Sequence, residues 1–141
     1  MHISLRPGEK LYLNGAVLRA DRKMSLELLN DATFLLEGHV MQVEETTTPL
    51  RQLYYVVQSM LMDPANAAVA RTMFARQHAA MNLAFSNEVI LSQLDDVSRL
   101  VGEDRCYEAL RTLRGLFPLE ETIMAGPRSK PAVSQDSLAQ H

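Results

Sequence analysis

The Asn14-Gly15 pair constrains the fold of this chain most, because it separates two short apolar segments, KLYL and AVLR. An Asn-Gly pair readily takes positive φ at both positions, which is the geometry of a two-residue β-hairpin turn. Pro7-Gly8 is a second turn signal, since proline presets φ and glycine tolerates positive values. Further short apolar segments lie at 26–28 and 33–36. We therefore predict four or five short antiparallel strands within residues 1–45.

Helix signals replace strand signals after residue 45. Thr48 precedes Pro49, which fits a helix N-cap followed by proline at the first helical position. Apolar residues then recur at helical spacing. The first such stripe consists of Leu50, Leu53, Tyr54, Val57 and Leu61. The sequence predicts an α+β fold, in which the small antiparallel β unit is followed by a bundle of three or four α-helices at 46–125.

The later helices have their own boundary signals. Asp63-Pro64 begins the second helix, and Ser86-Asn87-Glu88 offers a cap for the third, which Gly102 should end. The fourth should end before Pro118, because proline interrupts helical hydrogen bonding. In the second helix one face should be shared by Val69, Met73, Ala80 and Ala84. Residues 126–141 contain few large apolar groups, so we predict a disordered tail.

Composition narrows the class of protein. A single cysteine, Cys106, excludes an internal disulfide and fits a reducing compartment. The longest apolar stretches are much shorter than the roughly 20 residues that cross a bilayer. The first residues lack the pattern of a secretory signal peptide. We therefore expect a cytoplasmic protein without a membrane partner.

Charge is distributed unevenly along the chain. The net charge is −3, yet residues 1–23 carry +3 and residues 24–125 carry −7. A basic strand-and-turn segment could bind the phosphates of RNA, and a tyrosine in it could stack on a base. The candidate RNA-binding residues are Arg6, Lys10, Tyr12, Arg19, Arg22 and Lys23. The alternative, which the residue types alone favour, is a solvated surface whose cations keep edge strands from aggregating.

The sequence offers no catalytic or metal-binding motif. Its four histidines are scattered, without paired-ligand spacing. The chain also lacks the motifs of serine hydrolases, phosphate-binding loops and dinucleotide-binding folds. Asp95-Asp96 and Glu120-Glu121 are paired carboxylates that we expect to solvate exposed helix faces rather than to perform acid–base chemistry. We predict that the protein is not an enzyme and uses no cofactor or metal.

Eight methionines are many for 141 residues. Methionine adapts its shape, so it is common on surfaces that bind amphipathic helices, although it also fills cores. The candidate partner-binding residues are Tyr55, Met62, Met73 and Met81. Core filling remains the alternative for most of the methionines.

Four segments resemble the flagellar biosynthesis repressor family, FlbT. They are PGEK at 7–10, NGAV at 14–17, LLND at 28–31 and TPLRQLYY at 48–55. The resemblance implies post-transcriptional control of flagellin at the 5′ untranslated leader of its mRNA. It also implies two protein partners, FlaF and flagellin itself. It supplies no residue-level RNA site, and because some members are activators the direction of control does not carry over.

The opening segment is also similar to that of carbon storage regulators, in the Gly-Glu-Lys turn at 8–10. Those proteins are intertwined β dimers that bind mRNA leaders, so this similarity implies a homodimer through the N-terminal β unit. Two functional hypotheses remain open. One is a regulator that binds the flagellin mRNA leader, and the other is an adaptor or chaperone-like module for flagellin or FlaF that acts on mRNA only indirectly.

Overall fold

The fold is that of a computed structural model, which describes residues 1–30, 32 and 34–126. Five strands come first: β1 (His2–Leu5), β2 (Lys10–Leu13), β3 (Ala16–Arg19), β4 (Met24–Glu27) and β5 (Phe34–Leu36). Four helices follow: α1 (Pro49–Met62), α2 (Ala67–Ala84), α3 (Glu88–Gly102) and α4 (Cys106–Ala125). The α+β prediction is confirmed. The predicted disordered tail lies, apart from Gly126, outside the described residues.

The strands form two small antiparallel sheets. One contains β1 and β4, and the other has the order β3-β2-β5. Residues one apart on a strand point to opposite faces, so β2 and β5 each serve two cores. Leu11 and Phe34 pack with Ile3 and Leu5 in a core between the sheets. Leu35, on the opposite face, belongs to the core of the helical bundle.

The turn between β2 and β3 has the predicted geometry. Asn14 has φ of 50° and Gly15 has φ of 86°, as a type I′ hairpin requires. Leu13 and Ala16 are therefore paired directly across the turn. Local turn chemistry sets the register of this hairpin.

Replacing Gly15 with alanine should destabilise the fold by about 1–2 kcal/mol, because a Cβ makes positive φ costly. Gly115, within α4, is the matched control. A Cβ there meets nothing within 4 Å, so Gly115→Ala should stabilise the helix by up to about 1 kcal/mol. Urea denaturation of the two variants measures both effects. Equal changes in the free energy of unfolding, in the same direction, would contradict the turn assigned to Gly15.

The helical core is built around α1. This helix packs against both α2 and α4, and α3 packs mainly against α4. Val56 and Met60 are buried as well as the predicted stripe, so α1 is apolar on more than one face, as predicted for a central helix. Within the described residues, no helix has the combination of length and apolar character needed to cross a membrane.

The β unit and the segment that follows it contact the bundle at separate points. Phe34 of β5 stacks on Tyr107 of α4 with ring centroids 4.6 Å apart. The buried Gln58 amide accepts a hydrogen bond from the Met41 N–H at 2.6 Å and donates one to the Met41 carbonyl at 2.9 Å. A buried amide that satisfies both backbone groups fixes the chain between β5 and α1 on the bundle.

Two details of the helices differ from the sequence-based expectation. The α4 helix does not end before Pro118 but runs through it to Ala125. Proline removes one backbone donor, and contacts made beyond Pro118 by Glu120 retain the last turns. In α2 the side facing the bundle is that of Ala70, Phe74 and Met81. The predicted shared face, with Val69 and Met73, is exposed instead.

Candidate nucleic-acid interface and partner surface

The five basic residues predicted to bind RNA lie at one end of the β unit. Strand register places Lys10 opposite Arg19 and Leu5 opposite Met24, so the β1–β2 and β3–β4 connections meet there. Backbone hydrogen bonds join the two connections directly. We call this set the cationic end: Arg6, Lys10, Arg19, Arg22 and Lys23.

The cationic end is accessible, and the carboxylates of Glu9 and Glu37 lie beside it. Lys10 is half-buried, and the other four residues are exposed. Among the residues that the structure describes, Arg6 alone of the five has an ion pair, with Glu9 at 3.8 Å. The Arg6 side chain is 85% exposed, so water screens this pair from one side. The surface therefore keeps its positive charge available for a polyanion.

Tyr12, the predicted stacking residue, lies two residues from Lys10 on β2 and therefore on the same face of the strand. Its side chain is half-buried and packs against the helical core. The ring therefore contributes to the contact between the sheet and the bundle as well as to the surface. The RNA binding predicted for this surface consequently depends on the cations.

The predicted partner-binding residues do not form one exposed surface. Met81 is buried in the helical core, and Tyr55 and Met62 are half-buried. Met73 is exposed and lies on α2 with Val69 and with Leu83, a residue that the sequence interpretation missed. Val69, Met73 and Leu83 fall at positions of one heptad pattern. That pattern is the sequence signal that would have identified Leu83. We call this surface the α2 face: Val69, Met73, Arg76, Ala80 and Leu83.

The expectation for Glu120 was wrong. Its carboxylate is fully buried rather than solvated. It accepts hydrogen bonds from the Thr48 hydroxyl and from the Leu50 N–H, the latter at 2.8 Å. A carboxylate at the N-terminus of a helix satisfies free N–H groups and interacts favourably with the helix dipole. Glu121, in contrast, is exposed and pairs with Arg51 at 2.7 Å.

A second polar network holds the segment after β5. The Tyr54 hydroxyl donates to the His39 carbonyl at 2.6 Å, and Arg114 Nη1 donates to the Tyr54 oxygen at 3.0 Å. Burial raises the pKa of Tyr54. Burial and the positive charge of Arg114 lower the pKa of His39. The Tyr54 hydroxyl binds the protein's own backbone and Arg114 binds Tyr54, which indicates a structural role for both.

An open cleft of about 830 Å³ lies between the β4–β5 connection and the start of α4. Cys106 is in its wall but buried, and burial raises the pKa of the thiol, which makes it a poor nucleophile at neutral pH. Among the described residues, no three His, Cys, Asp or Glu side chains are grouped so as to hold a metal ion.

Comparison with known proteins identifies one family, and the relatives that match carry the same family name. The family described as "Flagellar protein FlbT" matches residues 1–124. The chain is 50% identical over 131 residues to the probable flagellum biosynthesis repressor protein FlbT of Mesorhizobium japonicum, covering 93% of this chain and 89% of the relative. It is 53% identical over 124 residues to the protein with the same description in Brucella anthropi, covering 88% and 82% respectively. No solved structure gives a significant match.

Proposed function

Because the chain belongs to the FlbT family of flagellar proteins, we propose that it regulates flagellin expression post-transcriptionally by binding the 5′ leader of flagellin mRNA. The relatives named as flagellum biosynthesis repressors support a regulatory role in building the flagellum. We assign this function to the cytoplasm, where the message is translated. The chain is a binding protein in this account, not an enzyme.

The cationic end is the observation that carries the proposal. Its five basic residues lie in two connections, or at the strand ends beside them, and these become adjacent only after the strands have paired. Positive charge gathered on one surface binds the phosphate backbone by releasing counterions. Residues 24–45 carry a net charge of −5, and the helical part, residues 46–125, carries −2, so neither offers RNA a competing excess of positive charge. An RNA leader should therefore be steered toward residues 1–23, where the positive charge is concentrated.

Fluorescence anisotropy with labelled flagellin leader RNA tests this assignment. The triple variant Arg19→Ala/Arg22→Ala/Lys23→Ala should lower the affinity by at least about tenfold, because each lost phosphate contact weakens binding independently of sequence. The matched control is Arg99→Ala/Arg105→Ala/Arg111→Ala, which removes the same charge from exposed positions on the helical part. The control should bind as the wild type does. Equal losses in both variants would contradict a localised interface.

The α2 face favours a second candidate function. Under this second function, the protein is an adaptor or chaperone-like module that binds flagellin or FlaF, and its effect on mRNA is indirect. Purified protein that forms a complex with flagellin or FlaF but has no affinity for leader RNA would establish this candidate over the first.

We also propose that two copies associate through the β unit. The β3 strand is exposed along its whole length, and Val17 presents an apolar side chain there. An uncovered edge strand is a template for pairing with another chain. Sedimentation velocity of the wild type and of Val17→Lys measures this directly, and a wild type that stays monomeric at high concentration would rule it out.

A further inference from the structure

We propose that the α2 face is a docking surface for a carboxylate-bearing amphipathic helix of another protein. This inference deepens the adaptor candidate and is independent of whether the cationic end binds RNA. It rests on the apolar character of α2, on its packing and on the charge at the centre of the face.

The α2 helix is apolar on two sides but packed on one. Phe74 and Met81 face the bundle, whereas Val69, Met73 and Leu83 are 64%, 44% and 89% exposed. A helix that is apolar on more than one side normally has neighbours on each of them. Here α1 covers one side, and α3 makes only limited contact with α2. The outer side is left uncovered.

The spacing of the outer side chains suits a helix as the occupant. The α2 face repeats in steps of four and three residues along an 18-residue helix. That is the heptad pattern whose side chains interdigitate with those of a second helix. Exposed apolar groups arranged in this way are typical of surfaces that bind amphipathic helices.

Charge identifies the kind of helix. Residues 64–87 contain two arginines and no acidic residue, although the chain as a whole is acidic. Arg71 is already engaged, with the Val101 carbonyl and the Asp104 carboxylate. Arg76 lies at the centre of the face and, within the part of the chain that the structure describes, has no ion pair. A carboxylate on the partner would pair with it.

The same arginine argues against a second copy of this chain. A symmetric pair of α2 helices, whether antiparallel about the centre of the face or parallel in register, places Arg76 beside Arg76 of the copy. Like charges brought together in a partly desolvated contact oppose association. A partner with acidic residues relieves that conflict, whereas a second copy creates it.

Two designed 18-residue helical peptides test the proposal. Both carry the same leucine and alanine stripe, and they differ only in having glutamate or lysine at the positions flanking it. Binding of each labelled peptide to the full-length protein is measured by fluorescence anisotropy. The glutamate peptide should bind at least about tenfold more tightly than the lysine peptide, and Arg76→Glu should reverse the preference.

Two matched surface variants separate the α2 face from general hydrophobicity. Leu83→Asp should weaken binding of the glutamate peptide by about tenfold, as expected for an apolar anchor. Leu29→Asp should leave it unchanged, since Leu29 is 87% exposed but lies outside α2. Circular dichroism confirms that both variants are folded. Equal binding of the two peptides, no binding of either, or self-association abolished by Leu83→Asp would each overturn the proposal.

Discussion

Replacing Glu120 with alanine should lower the free energy of unfolding by about 3 kcal/mol. The substitution leaves the Leu50 N–H and the Thr48 hydroxyl without their buried acceptor. An unpaired buried polar group costs about 1–3 kcal/mol, and the cavity left by the side chain adds to that cost. The loss of a negative charge at the start of α1 acts in the same direction. Urea denaturation at neutral pH measures the difference.

Two control variants separate these causes. Glu121→Ala removes the neighbouring carboxylate, which is exposed and paired with Arg51, so it should cost less than about 1 kcal/mol. Glu120→Gln keeps the volume and one acceptor oxygen, and its cost should lie between the other two. Equal destabilisation by Glu120→Ala and Glu121→Ala would show that Glu120 does not cap α1.

Replacing Phe34 with alanine should cost about 3–5 kcal/mol, the usual range for a buried aromatic side chain. Phe34 lies in the core between the sheets and also stacks on Tyr107 of α4. Its removal therefore weakens both the β unit and the contact that joins it to the bundle. Val17→Ala, at an exposed position of β3, is the control and should cost less than about 1 kcal/mol.

The Phe34→Ala variant also tests whether the β unit and the helices unfold together. Because β5 contributes Phe34 to one core and Leu35 to the other, unfolding of the wild type should be a single transition. Far-ultraviolet circular dichroism reports the helices, and NMR resonances of β2 and β3 report the β unit. A variant in which the β unit melts while the helices keep the wild-type midpoint would contradict the shared packing.

Local chemistry explains what could be predicted from the sequence. The turn at Asn14-Gly15 follows from the φ values that those residues tolerate. The starts of α1 and α3 follow from Thr48 and Asn87, whose side chains accept hydrogen bonds from N–H groups of the first turn. In each of these cases the determining contacts lie within a few residues along the chain.

The features that could not be predicted from the sequence depend on contacts between distant parts of the chain. Glu120 is polar and sits beside another acid, so nothing local indicates that it is buried against α1, 70 residues away. The choice of the packed side of α2 was equally hidden, because both sides are apolar. The grouping of the cations could be predicted from the sequence only in part. Their positions are local, but strand pairing brings Arg6 and Lys23 to the same end.

Ultraviolet crosslinking of flagellin leader RNA to the purified full-length protein, followed by mass spectrometry of the attached peptides, would locate the RNA-binding surface. Crosslinks are expected in peptides from residues 6–23, with few or none in the four helices. Crosslinks concentrated on α2 to α4, or none at a salt concentration at which the RNA is bound, would contradict that expectation.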